Sequence, residues 1–336
     1  MRRTIAALVL VTATALACSS GGSDAKRPSD DAATTSSKAA QTGKPAQKPK
    51  PVRVVTLNLL HGLFCPPETD SCRAPDRVAI FAELVEQAGC PDLIGLQEIG
   101  MRLEQLLPAM VEKLCDGRYT IAWQAVASPD REMVLSRLPI VERGYLDIAN
   151  FPWEAYWVRV DAPAGPVDFL TTHFASSSNN PDCQPGRCPP VCANGISTNE
   201  CNAVEVVDFF RQRASKAALT IVAGDLNARP GSPTLTALTG AGFRDAWLEA
   251  RRPECDPTTH IGCTGGGSAP EPFVGMDTKE GAGYDARIDY VLVRPGEDCD
   301  VDLEVAGFAD KARPSPLNGM FWPADHAGVQ ATIGCA

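Results

Sequence analysis

The run Ala218-Leu-Thr-Ile-Val-Ala-Gly-Asp225-Leu-Asn227 sets a carboxylate and an amide two residues apart, just past a glycine that ends an apolar, β-branched stretch. A carboxylate accepts and an amide donates, so the pair can meet an attacking water and a phosphate oxygen in one small space. Gly224 lets the backbone turn there without a steric penalty. Taken alone, Gly-Asp-x-Asn is equally an Asx turn closing a strand. Other polar residues stand in comparable places: Asn58 and Glu98 just after apolar runs, His173 after Phe169-Leu-Thr-Thr, Asp289 before Tyr290-Val-Leu-Val, and Asp325-His326 before the last apolar run. Each has an ordinary alternative. Asn58 could simply turn the chain, Glu98 could cap a following helix, Asp289 could pair with Arg287, and His173 could be a core histidine. Yet the chain has only four histidines, two of which fall in this set, and strand ends aim polar side chains at a shared site in sheet-built enzymes.

Positioning these residues requires strands and the helices that cover them. Strand-like runs lie at 52–58, 92–97, 119–126, 132–137, 140–148, 155–160, 166–172, 218–225, 287–293, 301–307 and 324–333. Apolar spacing of the helical kind predicts helices at 76–87, at 101–114 despite Pro108, at 203–214 and near 232–239. The intervening segments 175–201 and 251–283 are rich in Asn, Pro, Gly and Cys and read as loops. Trp153, Tyr156 and Trp157 sit in an alternating run, which favours a core position over an exposed stacking surface.

The chain is 44% hydrophobic and 21% charged, which suits a globular domain with a sizeable core. Residues 1–17 begin Met1-Arg2-Arg3, continue through an apolar segment too short to span a bilayer, and end on small residues, the pattern of a cleaved export signal. Cys18 follows directly, and the segment resembles a bacterial lipoprotein signal. That predicts lipidation at Cys18 and membrane association through it, with plain secretion as the alternative; Ala15 stands where the Leu of such signals usually does. Residues 18–51, rich in Ser, Ala, Lys and Pro, predict a disordered tether, and 52–336 a single folded domain. From the net charge of −10, the +2 of the signal and the +3 of the tether leave −15 for that domain. So acidic a domain lacks the Lys/Arg track of a sequence-independent nucleic-acid clamp.

Thirteen cysteines less Cys18 leave an even twelve, as an oxidising compartment favours. Local spacing suggests Cys65 with Cys72, Cys90 with Cys115, two bonds among Cys183, Cys188, Cys192 and Cys201, Cys255 with Cys263, and Cys299 with Cys335. Disulfides are expected at 183–201 in preference to zinc.

Taken in order, Thr56-Leu-Asn58, Gln97-Glu98, Leu135-Ser-Arg-Leu-Pro-Ile140, Thr172-His173, Gly224-Asp225-Leu-Asn227, Gly242-Phe-Arg-Asp245, Arg287-Ile-Asp289-Tyr290 and Asp325-His326 resemble the endonuclease/exonuclease/phosphatase superfamily, the deoxyribonuclease I-like metal phosphoesterases. The resemblance covers roughly residues 52–334. It implies an α/β (α+β) four-layer sandwich, two mostly antiparallel mixed sheets packed face to face with helices outside. It implies Glu98 as main metal ligand, with Asn58 and Asp325 helping to hold the ion or its waters. Oxygen ligands of this kind suit magnesium, with manganese or calcium as alternatives. By the same resemblance Asp225 orients or deprotonates the attacking water, Asn227 and His173 bind phosphate oxygens, and His326, oriented by Asp289, is the acid/base or phosphate-binding histidine. Glu132 stands where deoxyribonucleases place a carboxylate that supports the histidine, here His173. Two departures are Ala324 for the Ser often found before the final Asp-His, and a missing glycine-rich approach to Leu135-Ser136-Arg137.

The expected activity is divalent-metal-dependent hydrolysis of a phosphoester, most naturally a phosphodiester, at the cell envelope or outside the cell. Secreted nuclease, sphingomyelinase-like lipid phosphodiesterase and inositol-phosphate phosphatase share these motifs, so nucleic acid, phospholipid and small phosphate esters all stand as candidate substrates. A catalytically silent surface binding protein is the rival from another class. A monomer is assumed.

Overall fold

The computed structural model describes residues 49–60, 73–100, 102–124, 131–148, 154–176, 180–186, 188–213, 216–265, 284–311, 313–314 and 320–335. The export signal with Cys18, nearly all of the tether, the Cys65–Cys72 pair, Trp153 and most of the second half of the 251–283 loop lie outside them.

In chain order the strands are Val52–Asn58 (β1), Leu93–Gln97 (β2), Thr120–Trp123 (β3), Met133–Ser136 (β4), Ile140–Asp147 (β5), Glu154–Ala162 (β6), Gly165–His173 (β7), Leu219–Asp225 (β8), Arg244–Asp245 (β9), Asp289–Pro295 (β10), Val301–Phe308 (β11), Arg313–Pro314 (β12), Met320–Phe321 (β13) and Gly328–Cys335 (β14). The helices are Ala74–Gln87 (α1), Leu103–Val111 (α2), Thr198–Arg213 (α3), Pro233–Gly240 (α4) and the single turn Ala246–Glu249 (α5). Two six-stranded sheets result, ordered β11-β14-β1-β2-β4-β3 and β5-β6-β7-β8-β10-β9, while β12 and β13 pair by themselves. Each large sheet is antiparallel except for one central parallel pair, β1 with β2 and β7 with β8.

The central strands read as unbroken apolar runs because they are covered on both faces. Val54, Leu93, Val134, Val158, Phe169, Ile221, Val291 and Ala331 fill the space between the sheets. The outer face of the first sheet is packed by α1 and α2 through Phe81, Leu84 and Leu107 against Leu57 and Leu96. The outer face of the second is packed through Phe210 of α3 and Leu235 of α4 against Trp157, Val222 and Leu292. This is the four-layer α/β sandwich. Tyr156 and Trp157 are core residues, on opposite faces of β6.

Two helices differ from expectation. The second is shorter, ending at Val111 before a tight turn at Leu114–Gly117 that carries Cys115. The third begins at Thr198, five residues before the apolar spacing starts. Its first turn is polar in sequence but buried, because Asn199 donates to the Ala175 and Leu226 carbonyls at 2.7 and 2.9 Å and Asn202 accepts from the Ala175 amide at 3.1 Å. Among the described residues five disulfides close the loops: Cys90–Cys115, Cys183–Cys188, Cys192–Cys201, Cys255–Cys263 and Cys299–Cys335. The 183–201 cluster is therefore two disulfides.

Candidate active site

Strand direction decides which polar residues meet. The parallel pairs end at the same edge, with Asn58 beside Gln97 and His173 beside Asp225. Their antiparallel neighbours start there: β10 with Asp289 opposite Asp225, β14 just after Asp325-His326, and β4 just after Glu132. Residues that follow runs in some strands and precede them in others thus share one rim.

On the first sheet, Asn58 is fully buried. The Leu60 amide donates to its Oδ1 at 3.0 Å, which turns its Nδ2 toward Glu98 Oε1 at 2.9 Å and Asp225 Oδ2 at 3.1 Å. Leu60 (φ +55°) and Glu98 (φ +61°) both hold left-handed backbone, uncommon for residues with a side chain. Arg77 of α1, buried, fixes that loop by donating to the Leu59 carbonyl and, at 3.1 Å, to the Leu60 carbonyl. Glu98 is turned into the site, its Oε1 accepting from Asn58 Nδ2.

On the second sheet, Gly224 passes so close to β7 that a Cβ would lie 1.9 Å from the Thr172 carbonyl oxygen. No other residue fits there. Asp225 divides its oxygens: Oδ1 accepts from the Asn227 amide at 2.9 Å, closing an Asx turn, while Oδ2 faces Asn58. The ordinary and the functional readings of this motif therefore describe two halves of one carboxylate. Asn227 Nδ2 donates to the Phe174 carbonyl and lies 3.0 Å from His173 Nε2. His173 stands between acids, Nε2 3.4 Å from Asp225 Oδ2 and Nδ1 3.9 Å from Glu98 Oε1.

Asp289 is fully buried, and His326 Nδ1 meets its Oδ2 at 3.0 Å and lies 3.7 Å from Asp225 Oδ2. The Thr264 hydroxyl oxygen accepts from the Ile288 and Asp289 amides, both at 3.0 Å, and pins this strand start. Burial pushes the Asp289 carboxyl up to about 6, with Asp225 pushing the same way and His326 opposing. For His326 burial disfavours the charged ring, yet the surrounding carboxylates, Asp289 first, outweigh it and hold the imidazole well above its ordinary value. Asp325 is raised by burial, and also by Glu98, against His326 and Arg77. Arg287 does not pair with Asp289. It turns away to Glu254, at 2.8 and 2.7 Å, and to Asp245 at 2.8 Å, with its guanidinium over the Tyr290 ring.

Glu132 is buried on the inner face of β4, the face of Val134. Extending the Leu96–Met133 register by one residue sets it opposite Gln97, which donates to Thr171 Oγ1 across the sheets at 2.7 Å.

Asn58, Glu98, His173, Asp225, Asn227, Asp289 and His326 are joined by these contacts, and Asp325 is adjacent through its charge. Sequence reasoning missed Arg77 and Thr264. Arg77 carried a signal, because it falls on the buried stripe with Phe81 and Leu84; Thr264, in a loop, carried none. The set of Glu98, Asp225, Asp289 and Asp325 gathers four carboxylates against two imidazoles and the buried Arg77. Such an excess of hard oxygen donors, with the Asp289 and Asp325 carboxyls pushed up by burial first and by neighbouring carboxylates second, fits a divalent cation of the magnesium type.

A model of the endonuclease/exonuclease/phosphatase family matches residues 55–326. No curated protein matches the chain in sequence. Among solved structures, a Bacteroides thetaiotaomicron protein of the same family superposes with a TM-score of 0.59 at 17% identity, over 86% of this chain and 100% of that one. A humanized D. rerio TDP2 gives 0.59 at 14% identity over 84% and 98%. A mannosyl-6-phosphatase of B. thetaiotaomicron gives 0.56 at 18% identity over 84% and 99%. At these identities the likeness is one of fold.

Proposed function

The chain belongs to the endonuclease/exonuclease/phosphatase family, and on that premise we propose that it hydrolyses phosphodiesters with a divalent ion, in the cell envelope or outside the cell. The family makes it a phosphoester hydrolase; the diester, the ion and the location are the proposal. The observation that carries it is one connected set of contacts. Glu98, Asn58, Asp225, Asn227 and His173 are linked in turn, and the His326–Asp289 pair lies 3.7 Å from Asp225.

When bound, magnesium, or manganese or calcium in its place, offsets phosphate charge and strengthens it as an electrophile. Glu98 and Asp325 hold the ion. Asn58 helps to hold the ion or its waters, since its Oδ1 keeps a lone pair beyond the one that Leu60 engages, and its NH2 group steadies Glu98 and Asp225. Asp225 Oδ2 takes a proton from the attacking water as the new oxygen–phosphorus bond forms. Asn227 and His173 donate to the phosphate oxygens as charge grows on them. The bond to the leaving oxygen breaks, and His326, kept protonated by Asp289 and Asp225, returns a proton to it. Glu132, buried as His173 is, is assigned the role of orienting that ring.

Export is supported by the signal-like residues 1–17 and by the five disulfides, with Cys18 as the lipid attachment point. The domain charge argues against a long polynucleotide as the main substrate.

The test is hydrolysis of bis(p-nitrophenyl) phosphate by the disulfide-bonded protein with magnesium and with chelator. Chelator-sensitive turnover that is lost in Glu98→Ala and Asp225→Ala supports the reading. Well-folded protein without turnover on this ester, plasmid DNA or sphingomyelin would turn it toward the silent binding protein.

A further inference from the structure

Beside the site, and sharing only Thr264 with it, lies a cavity of about 800 Å³ bounded by residues 252–253, 259–264, 307, 310–311, 322 and 327–328. That is the size of a small-molecule site. Trp247, Tyr284 and Trp322 line it, the last two edge to face with ring centroids 5.8 Å apart. Its walls are fixed in advance. The Cys255–Cys263 bond closes the loop, Trp247 Nε1 donates to the Pro253 carbonyl at 2.7 Å, and His260 Nδ1 bonds the Tyr284 carbonyl at 2.7 Å.

The charge of this cavity departs from that of the domain. Arg252 and Lys311 line the cavity, neither within ion-pair distance of a carboxylate among the described residues, against one lining carboxylate, Asp310; the Arg252 guanidinium lies over the Trp247 ring, 5.4 Å from its centroid. Two cations left without acids, in a domain carrying −15, make a local positive potential that favours an anion.

The cavity also borders the chemistry. Thr264 lines it and pins the Asp289 amide, its carbonyl accepts from Ala327 at 2.8 Å, and Ala327 follows His326. The next residue, Gly265, lies so near the His326 ring that a Cβ would come within 3.0 Å of it.

We infer that this cavity receives the leaving-group side of the substrate, and that the leaving group carries a flat ring and a negative charge of its own. The inference rests on the phosphoesterase reading. The ring packs among Trp247, Tyr284 and Trp322, and the charge meets Arg252 and Lys311. The departing oxygen then faces His326, which protonates it as its bond to phosphorus breaks.

The experiment compares two methyl phosphodiesters that share one reacting phosphate, methyl phenyl phosphate and methyl 4-carboxyphenyl phosphate, with magnesium. The wild type should favour the carboxyphenyl ester in kcat/KM by about tenfold more than the uncatalysed rates differ. The double variant Arg252→Ala/Lys311→Ala should lose that preference through KM while its kinetics on the phenyl ester stay unchanged, and Lys311→Glu should lower it further. Equal preference in wild type and double variant overturns the inference. If neither ester is turned over, the phosphoesterase reading fails, and the cavity is then judged by binding. Saturable quenching of tryptophan fluorescence by 4-hydroxybenzoate in chelator, lost in the double variant, supports it; no quenching overturns it.

Discussion

The two sheets bring their residues to the shared rim by different means. On the second sheet, strand register does most of the positioning, since His173, Asp225 and Asp289 stand side by side in one row across β7, β8 and β10. On the first, β1 ends on Asn58 and β2 stops one residue short of Glu98. Asn58 and Glu98 are held by left-handed turns at Leu60 and Glu98 and by a buried arginine reaching in from α1. Register is set by the whole sheet, whereas the turn depends on a few bonds. The second-sheet half should therefore fail with the fold, and the first-sheet half by itself.

The largest effect expected is at Gly224. Its Cβ-free approach to Thr172 leaves Gly224→Ala no room against backbone, so the variant should unfold or lose at least ~3 kcal/mol, read by urea denaturation. Asp225→Ala should keep the fold and lose ~10³-fold or more in kcat on a diester, since the group that takes the water's proton is gone.

The contrast sharpens at Arg77. Arg77→Met removes two buried bonds to the Leu59–Leu60 turn, and the resulting freedom of Asn58 and Glu98 should raise the magnesium needed for half-maximal activity by about tenfold. Asn227→Ala should lower kcat by a comparable factor without moving the magnesium dependence. Were both variants to shift it alike, the division between the sheets would be wrong.

The same division governs what the sequence made visible. A polar residue at the end of an apolar run can be read from one dimension, and so Asn58, Glu98, His173, Asp225 and Asp289 stood out. Strand order and direction, which bring them to one rim, entered through the family resemblance, because a run reads alike in either direction. The four-layer sandwich followed from the same source. Arg77 was hidden by its helix, where an arginine reads as solvated unless its place on the apolar stripe is counted. The first turn of α3 was hidden because Asn199 and Asn202 satisfy backbone groups that only the tertiary fold delivers to them. For Asp289 a neighbour in sequence suggested the wrong partner: Arg287 is two residues away but points to the opposite side, toward Asp245 and Glu254.

That last arrangement gives the smallest of the expected effects, and the one that asks whether register alone holds the second-sheet half. Glu254 grips Arg287 with both oxygens and ties the disulfide-closed loop to the start of β10. Burial alone would raise its carboxyl, but the bonds from Arg287 and from the Cys255 amide outweigh it and lower it from the ordinary 4.5. A carboxyl lowered in the folded state adds stability that is complete above its unfolded value and fades as pH falls through the folded one. Glu254→Gln should therefore be less stable than wild type at neutral pH, and the difference should shrink as the pH is taken below about 4.5. The side chain is 39% exposed, so solvent screens the pair and the loss stays modest. If Asp289 is held by its ladder, kcat in Glu254→Gln stays near the wild-type value while stability falls. A parallel fall in kcat at neutral pH would mean that the loop, and not the sheet, sets the position of Asp289, and the contrast between the two halves would then be one of degree.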